Sequence, residues 1–179
     1  MKFKIRAIAL ECLFLLLASS VVLVSTCSRY RLFDLAAWQV PTLYQDDALH
    51  WLAFFRVISA GECLPYSGFI VSNLGAPFDG NWNDFPMALP LMMLAGGGIT
   101  KLFGFGVASN VILVFAHLIS ALAMYVCLRI ARSAQIWALA FSICFGLAPF
   151  LFSRGFTHIN ITFAYSVPIA LAMGLLIYR

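Results

Sequence analysis

Asp46, Asp47 and His50 are the residues whose types and spacing could do acid–base chemistry. The segment from Asp46 to Ala60 has a helical pattern, with Leu49, Leu52, Phe55 and Ile58 recurring at about three and Trp51 and Phe54 widening the stripe. On a helix, Asp46 lies one turn before His50, and Asp47 three residues before it. Both carboxylates can then approach one imidazole. A carboxylate beside a second carboxylate, near a low-dielectric boundary, has its pKa raised towards the range a general base needs. The structural alternative is equally specific. Asp46 would be the helix N-cap, Asp47 would favour the helix dipole, and His50 would be solvated.

Six of the seven acidic residues fall between Arg29 and Pro86: Asp34, Asp46, Asp47, Glu62, Asp79 and Asp84. The same stretch holds Tyr30, Phe33, Trp38, Tyr44, Trp51, Phe54, Phe55, Tyr66, Phe69, Phe78, Trp82 and Phe85. So many aromatics predict a folded loop that rests against a membrane surface. Gly61 is expected to end the helix, and the Gly-, Pro-, Asn- and Asp-rich run to Pro86 reads as turns. Asp84 has the place of a cap for a helix opened by Phe85-Pro86. Asp79, Asn81, Asn83 and Asp84 loosely resemble a calcium loop, but no Glu closes it, so no metal or other cofactor is assigned. A divalent cation is compatible with these acids.

The elements that position this loop are hydrophobic. The chain of 179 residues is 63% apolar and 10% charged, and its mean hydropathy is +0.97. Soluble domains are nearer half apolar and a quarter charged, so these values predict an integral membrane protein. The net charge of +4 comes from scattered cations, which exclude a nucleic-acid surface. Four runs, roughly 7–26, 107–128, 134–152 and 159–178, can cross a hydrocarbon core of about 30 Å. The expected fold class is all-α: a polytopic bundle of four spans in one membrane domain, with an outer loop at 28–86. A fifth run, 87–100, is short, opens on Pro86 and Pro90, and is interrupted by Gly96-Gly97-Gly98. It reads as an interfacial or re-entrant helix. With Lys2, Lys4 and Arg6 inside, four spans also keep Arg129, Arg132 and Arg179 inside, and put the acidic loop and Arg154–His158 outside. Five spans would move Arg129 and Arg132 out and gain only Arg154.

Smaller signals are read more plainly. The first run is about 18 residues, longer than the h-region of a cleaved signal peptide, so it is expected to stay as a span. Cys27 and Cys63 would share a side and could pair, although their spacing does not enforce it. His117 lies in mid-span, where a neutral ring bonded across a helix interface is the expectation. Asn160-Ile161-Thr162 matches a glycosylation sequon but sits in an apolar helix pattern at the membrane edge.

The layout and three motifs resemble the polytopic membrane glycosyltransferases of the C type, in particular uncharacterised bacterial members. The motifs are Tyr44-Gln45-Asp46-Asp47-Ala48-Leu49-His50-Trp51, then Asn73-Leu74-Gly75-Ala76-Pro77-Phe78 with Asp84-Phe85-Pro86, then Arg154-Gly155-Phe156-Thr157-His158. The layout resemblance covers nearly the whole chain, the motif resemblance some twenty residues. It implies transfer of a sugar from a polyprenyl-phosphate donor to an acceptor on the outer face of a bacterial cytoplasmic membrane. It implies Asp46 or Asp47 as the proton-accepting carboxylate. His50, Arg56, Asp84, Arg154 and His158 would then contact substrate, with Arg154 and His158 on the leaving phosphate. Such enzymes have about twice as many spans, which implies missing C-terminal spans or a further membrane subunit beside the lipid-linked donor and the membrane lipids. Two other readings stay open: a non-catalytic subunit or flippase of lipid-linked sugars, and an inactive truncated product.

Overall fold

The computed structural model describes residues 2–45, 47–62, 70–71, 80–81 and 90–178. The fold is all-α, as its composition predicts. Helices α1 (Lys2–Arg29), α2 (Asp47–Ala60), α3 (Pro90–Phe103), α4 (Phe105–Ile130), α5 (Gln135–Gly146), α6 (Pro149–Arg154), α7 (Ile159–Thr162) and α8 (Ser166–Ile177) follow in order. A 3-10 turn at Leu35–Gln39 and the two-residue strands β1 (Ile70–Val71) and β2 (Gly80–Asn81) complete the described elements. The strands pair antiparallel, Ile70 opposite Asn81.

Four stretches are long and apolar enough to cross a bilayer: Ile8–Arg29, Phe105–Ile130, Gln135–Arg154 and Ile159–Ile177. These make the chain an integral membrane protein. Helix α3 has 14 residues, about 21 Å at 1.5 Å per residue, and falls short of the core thickness. The third and fourth stretches are broken helices rather than continuous ones. Pro149 opens α6 and Pro168 lies in the first turn of α8, since proline has no N–H with which to continue the preceding helix.

The chain divides into two compact units. The first comprises Met1–Arg31, Leu113–Gly155 and Ile161–Arg179. Here α1 packs on α5, and Ala18, Tyr125, Ala138 and Leu139 are buried together with Phe14, Leu15, Leu128 and Ile143 around them. His117 explains how the break after α5 is tolerated. The Gly146 carbonyl, left at the end of α5, accepts a bond from His117 Nδ1 at 2.7 Å. The Tyr30 hydroxyl stands 3.3 Å from Nε2. A carbonyl only accepts, so Nδ1 carries the proton and Tyr30 donates to Nε2. Burial raises the Tyr30 hydroxyl to about 12, more than the Arg29 charge lowers it, and keeps it protonated as a donor. His117 is fully buried and stacked on Phe152, which makes it the neutral cross-helix brace that its sequence position suggests.

A second polar cluster in this unit joins elements far apart in sequence. Glu11 on α1 accepts from Arg129 Nη2 at 2.6 Å, Tyr125 Oη at 2.8 Å and Gln135 Nε2 at 2.9 Å. Arg129 also donates to the Ser133 carbonyl. The start of α1, the end of α4 and the start of α5 therefore lie at one level.

The second unit comprises Leu32–Ile112 and Phe156–Asn160. Helix α2 packs on α3. Its buried residues are Ala48, Trp51, Leu52, Phe54, Phe55 and Ile58; Leu49, expected in the stripe, is 44% exposed. Gly61, at φ +80°, ends the helix as its sequence suggests. The glycine triplet does not interrupt α3. Gly96 and Gly97 face α2, where a Cβ would strike Phe55 and Ile58 respectively. Glycine lets the two helices approach closely.

The same device recurs with backbone. A Cβ on Gly106 would run into the Gln39 carbonyl. One turn on, the buried Asn110 clamps that segment. Its Oδ1 accepts from Thr42 N at 3.0 Å and Thr42 Oγ1 at 2.8 Å. Its Nδ2 donates to the Val40 carbonyl at 2.8 Å, with the Ala37 and Trp38 carbonyls at 3.3 Å. Asp34 caps the turn through Ala36 N, a structural role like the one expected of the loop's lesser acids. Gly106→Ala should cost roughly 1–3 kcal/mol, because neither backbone segment can step aside. Gly98, with open space around its Cβ, is the control: Gly98→Ala should be neutral or slightly stabilising. Melting temperatures of the two variants in detergent check the contrast, and equal values would overturn it.

Within the second unit, Phe156 is buried with its ring 6.0 Å from Phe55 of α2. The loop after α6 is thereby joined to α2.

Candidate functional site

Asp47 opens α2, with its side chain 66% exposed. Its first-turn position places the carboxylate against the positive end of the helix dipole. The Asn110 clamp holds Val40 and Thr42, just ahead of this start. From the loop after α6, His158 Nδ1 reaches within 3.3 Å of Asp47 Oδ2, its side chain 37% exposed. Two local features bring it there. Gly155 adopts φ +49° and ends α6, and Phe156 anchors the loop on Phe55. Thr162 Oγ1 donates to the Gly155 carbonyl at 2.7 Å and closes the turn.

His50 sits half-buried on α2, edge-on to Phe54 at 4.5 Å and near Trp51. Burial lowers its imidazole below the ordinary value, and the Asp47 charge pulls it part of the way back. His50 therefore stays neutral near pH 7. The Trp51 and Phe54 rings, 6.0 Å apart, surround the His50 imidazole with apolar surface.

The structure thus brings Asp47 and His158 together and seats His50 on the same helix. Arg56 is exposed on α2, its carbonyl accepting from Ser59 Oγ at 2.7 Å. Arg154 belongs to the first unit, at the end of α6, with its guanidinium 5.4 Å from the Phe150 ring. Asp46 and Asp84 lie outside the described residues, as do Cys63, Asp79 and Asn83. Cys27 is buried as a free thiol. Among the described residues no group of three His, Cys, Asp or Glu could hold a metal ion.

The sequence reading did not pick out Asn110, and it quoted Phe156 only within the Arg154–His158 motif, with no role. A polar amide in the middle of an apolar run was the available signal for Asn110; the anchoring of Phe156 on Phe55 had none, because it depends on a partner about a hundred residues away.

Chemically, an ionised carboxylate only accepts, so the Nδ1 that faces Asp47 carries a proton. A carboxylate holding an imidazole by Nδ1–H can move a proton to or from a hydroxyl-bearing substrate. No family model, curated protein or solved structure matches this chain.

Proposed function

We propose that the chain is a glycosyltransferase-like membrane protein. It transfers a sugar from a polyprenyl-phosphate donor to an acceptor hydroxyl, and the Asp47–His158 couple takes the acceptor's proton. The observation that carries this reading is the 3.3 Å approach of His158 to Asp47, between two segments singled out by their resemblance to C-type glycosyltransferases. Arg154, at the end of a span, suits a lipid phosphate. Arg56 and Asp84 remain proposed substrate contacts. The membrane is the bacterial cytoplasmic membrane, with Lys2, Lys4 and Arg6 inside and α2 outside. Further spans or a partner membrane subunit complete the donor site.

The alternative of a flippase gains nothing from the charged pair in the spans. Glu11 and Arg129 satisfy one another and their neighbours, which is the bonding of a structural brace. The test is transfer of radiolabelled sugar, in membranes carrying the full chain, from a panel of polyprenyl-phosphate hexose and pentose donors. Transfer above that of membranes lacking the chain is expected for one donor. No transfer with any donor, in the presence of candidate partner subunits, would refute the reading.

A further inference from the structure

We propose that within this couple His158 Nε2 is the atom that receives the proton, and that Asp47 is a positioning residue. The inference rests on the sugar-transfer reading above and assigns its atoms. Asp47 Oδ2 faces Nδ1 of the ring. With the proton held on Nδ1, the neutral ring's lone pair is on Nε2. The backbone that carries the ring is anchored by the buried Phe156 on one side and the buried Ile159 on the other. An imidazole that offers one nitrogen to a carboxylate presents the other to a substrate hydroxyl, the arrangement of a general base. The Asp47 charge also stabilises the imidazolium that forms.

The step balances as follows. The acceptor oxygen bonds to the anomeric carbon while its proton passes to His158 Nε2. The bond from that carbon to the phosphate oxygen breaks, and the electron pair leaves with polyprenyl phosphate. The imidazolium then returns its proton to water. Among the described residues of the elements packed here, helix α2 carries Asp47, His50 one turn on, and the exposed Arg56; α3, packed on α2, carries Lys101.

The tautomer provides the direct test. The chain has three histidines, so isotope-labelled histidine in lipid nanodiscs, with single His→Gln variants for assignment, resolves each ring by nitrogen NMR. Neutral His158 should carry its proton on Nδ1, and Asp47→Ala should shift the ring towards the Nε2–H form that free imidazole side chains prefer. Transfer from polyprenyl-phosphate glucose, or from whichever donor of the panel is active, gives the second readout. The rising limb of kcat against pH should vanish in His158→Gln. Asp47→Asn should lower kcat with KM little changed. Wild-type transfer combined with Nε2–H on His158, or with a rising limb that survives His158→Gln, overturns the proton assignment alone. A wild type inactive with every donor overturns the sugar-transfer reading itself.

Discussion

Asp47→Asn should lower the rate of sugar transfer by roughly 10²–10⁴-fold, the range that a positioned acid–base group contributes. Asparagine keeps the size of the side chain and one acceptor, but loses the charge that favours the imidazolium. It can also turn its NH₂ towards Nδ1 and so impose the wrong tautomer. His158→Gln should cost a similar factor. The double variant should be no worse than the poorer single one, because the two side chains act as a unit and their losses do not multiply. Folding is expected to be almost unaffected. With side chains 66% and 37% exposed, the pair is worth about 0–1 kcal/mol as a surface contact. Melting temperatures near wild type, together with the collapse in rate, would separate chemistry from stability. Asp46→Asn serves as the neighbour control. Full activity in Asp47→Asn with loss in Asp46→Asn would move the carboxylate role one residue back. Full activity in both would remove the loop from the chemistry.

The second large effect concerns stability. Glu11→Leu should destabilise the protein by about 2–3 kcal/mol, close to the cost of a lone charged side chain within a span. Arg129 would lose the carboxylate that holds Nε and Nη2, and Tyr125 and Gln135 would lose their acceptor as well. Both charged side chains are about one-third exposed on the apolar helices, and in a bilayer that exposure is to lipid rather than water. Arg129→Leu should cost a comparable amount by stranding Glu11. Joint replacement by leucine should recover most of the loss, since apolar substitution of a desolvated pair is often neutral. For a chain of this length the single variants should melt about 4–12 °C lower. Thermal unfolding in detergent micelles with all three variants checks this. Single and double variants that fall equally would mean the residues do not act on each other.

The particular elements divide clearly between what was legible and what was not. The end of α2 at Gly61, the four membrane-length stretches and the shortness of α3 were readable because each depends on a local run of residues. Hydropathy and helix termination add up along the chain. The glycine triplet misled in one respect. As a string it looks like a break, yet its lack of side chains serves the α2–α3 contact, and only the partner helix reveals that. The third and fourth runs read as unbroken in the sequence, and the structure divides them into α5–α6 and α7–α8, with Pro149 opening α6 and Pro168 in the first turn of α8. The break after α5 is tolerated because His117, which lies 29 residues before Gly146, reaches the Gly146 carbonyl.

By itself the sequence determined the solvent of this protein: a helical chain for a membrane, with its acids gathered in one polar stretch headed by Asp46 and Asp47. Burial of apolar area needs no specific partner, so composition alone decides it. Tertiary structure decided which partner each polar group met. Arg129 reached Glu11 across 118 residues, and Asn110 reached Val40 and Thr42 across about 70. His158 came to Asp47 from the loop after α6. Hydrogen bonds and ion pairs act over about 3 Å, a distance set by helix packing and not encoded in any spacing along the chain.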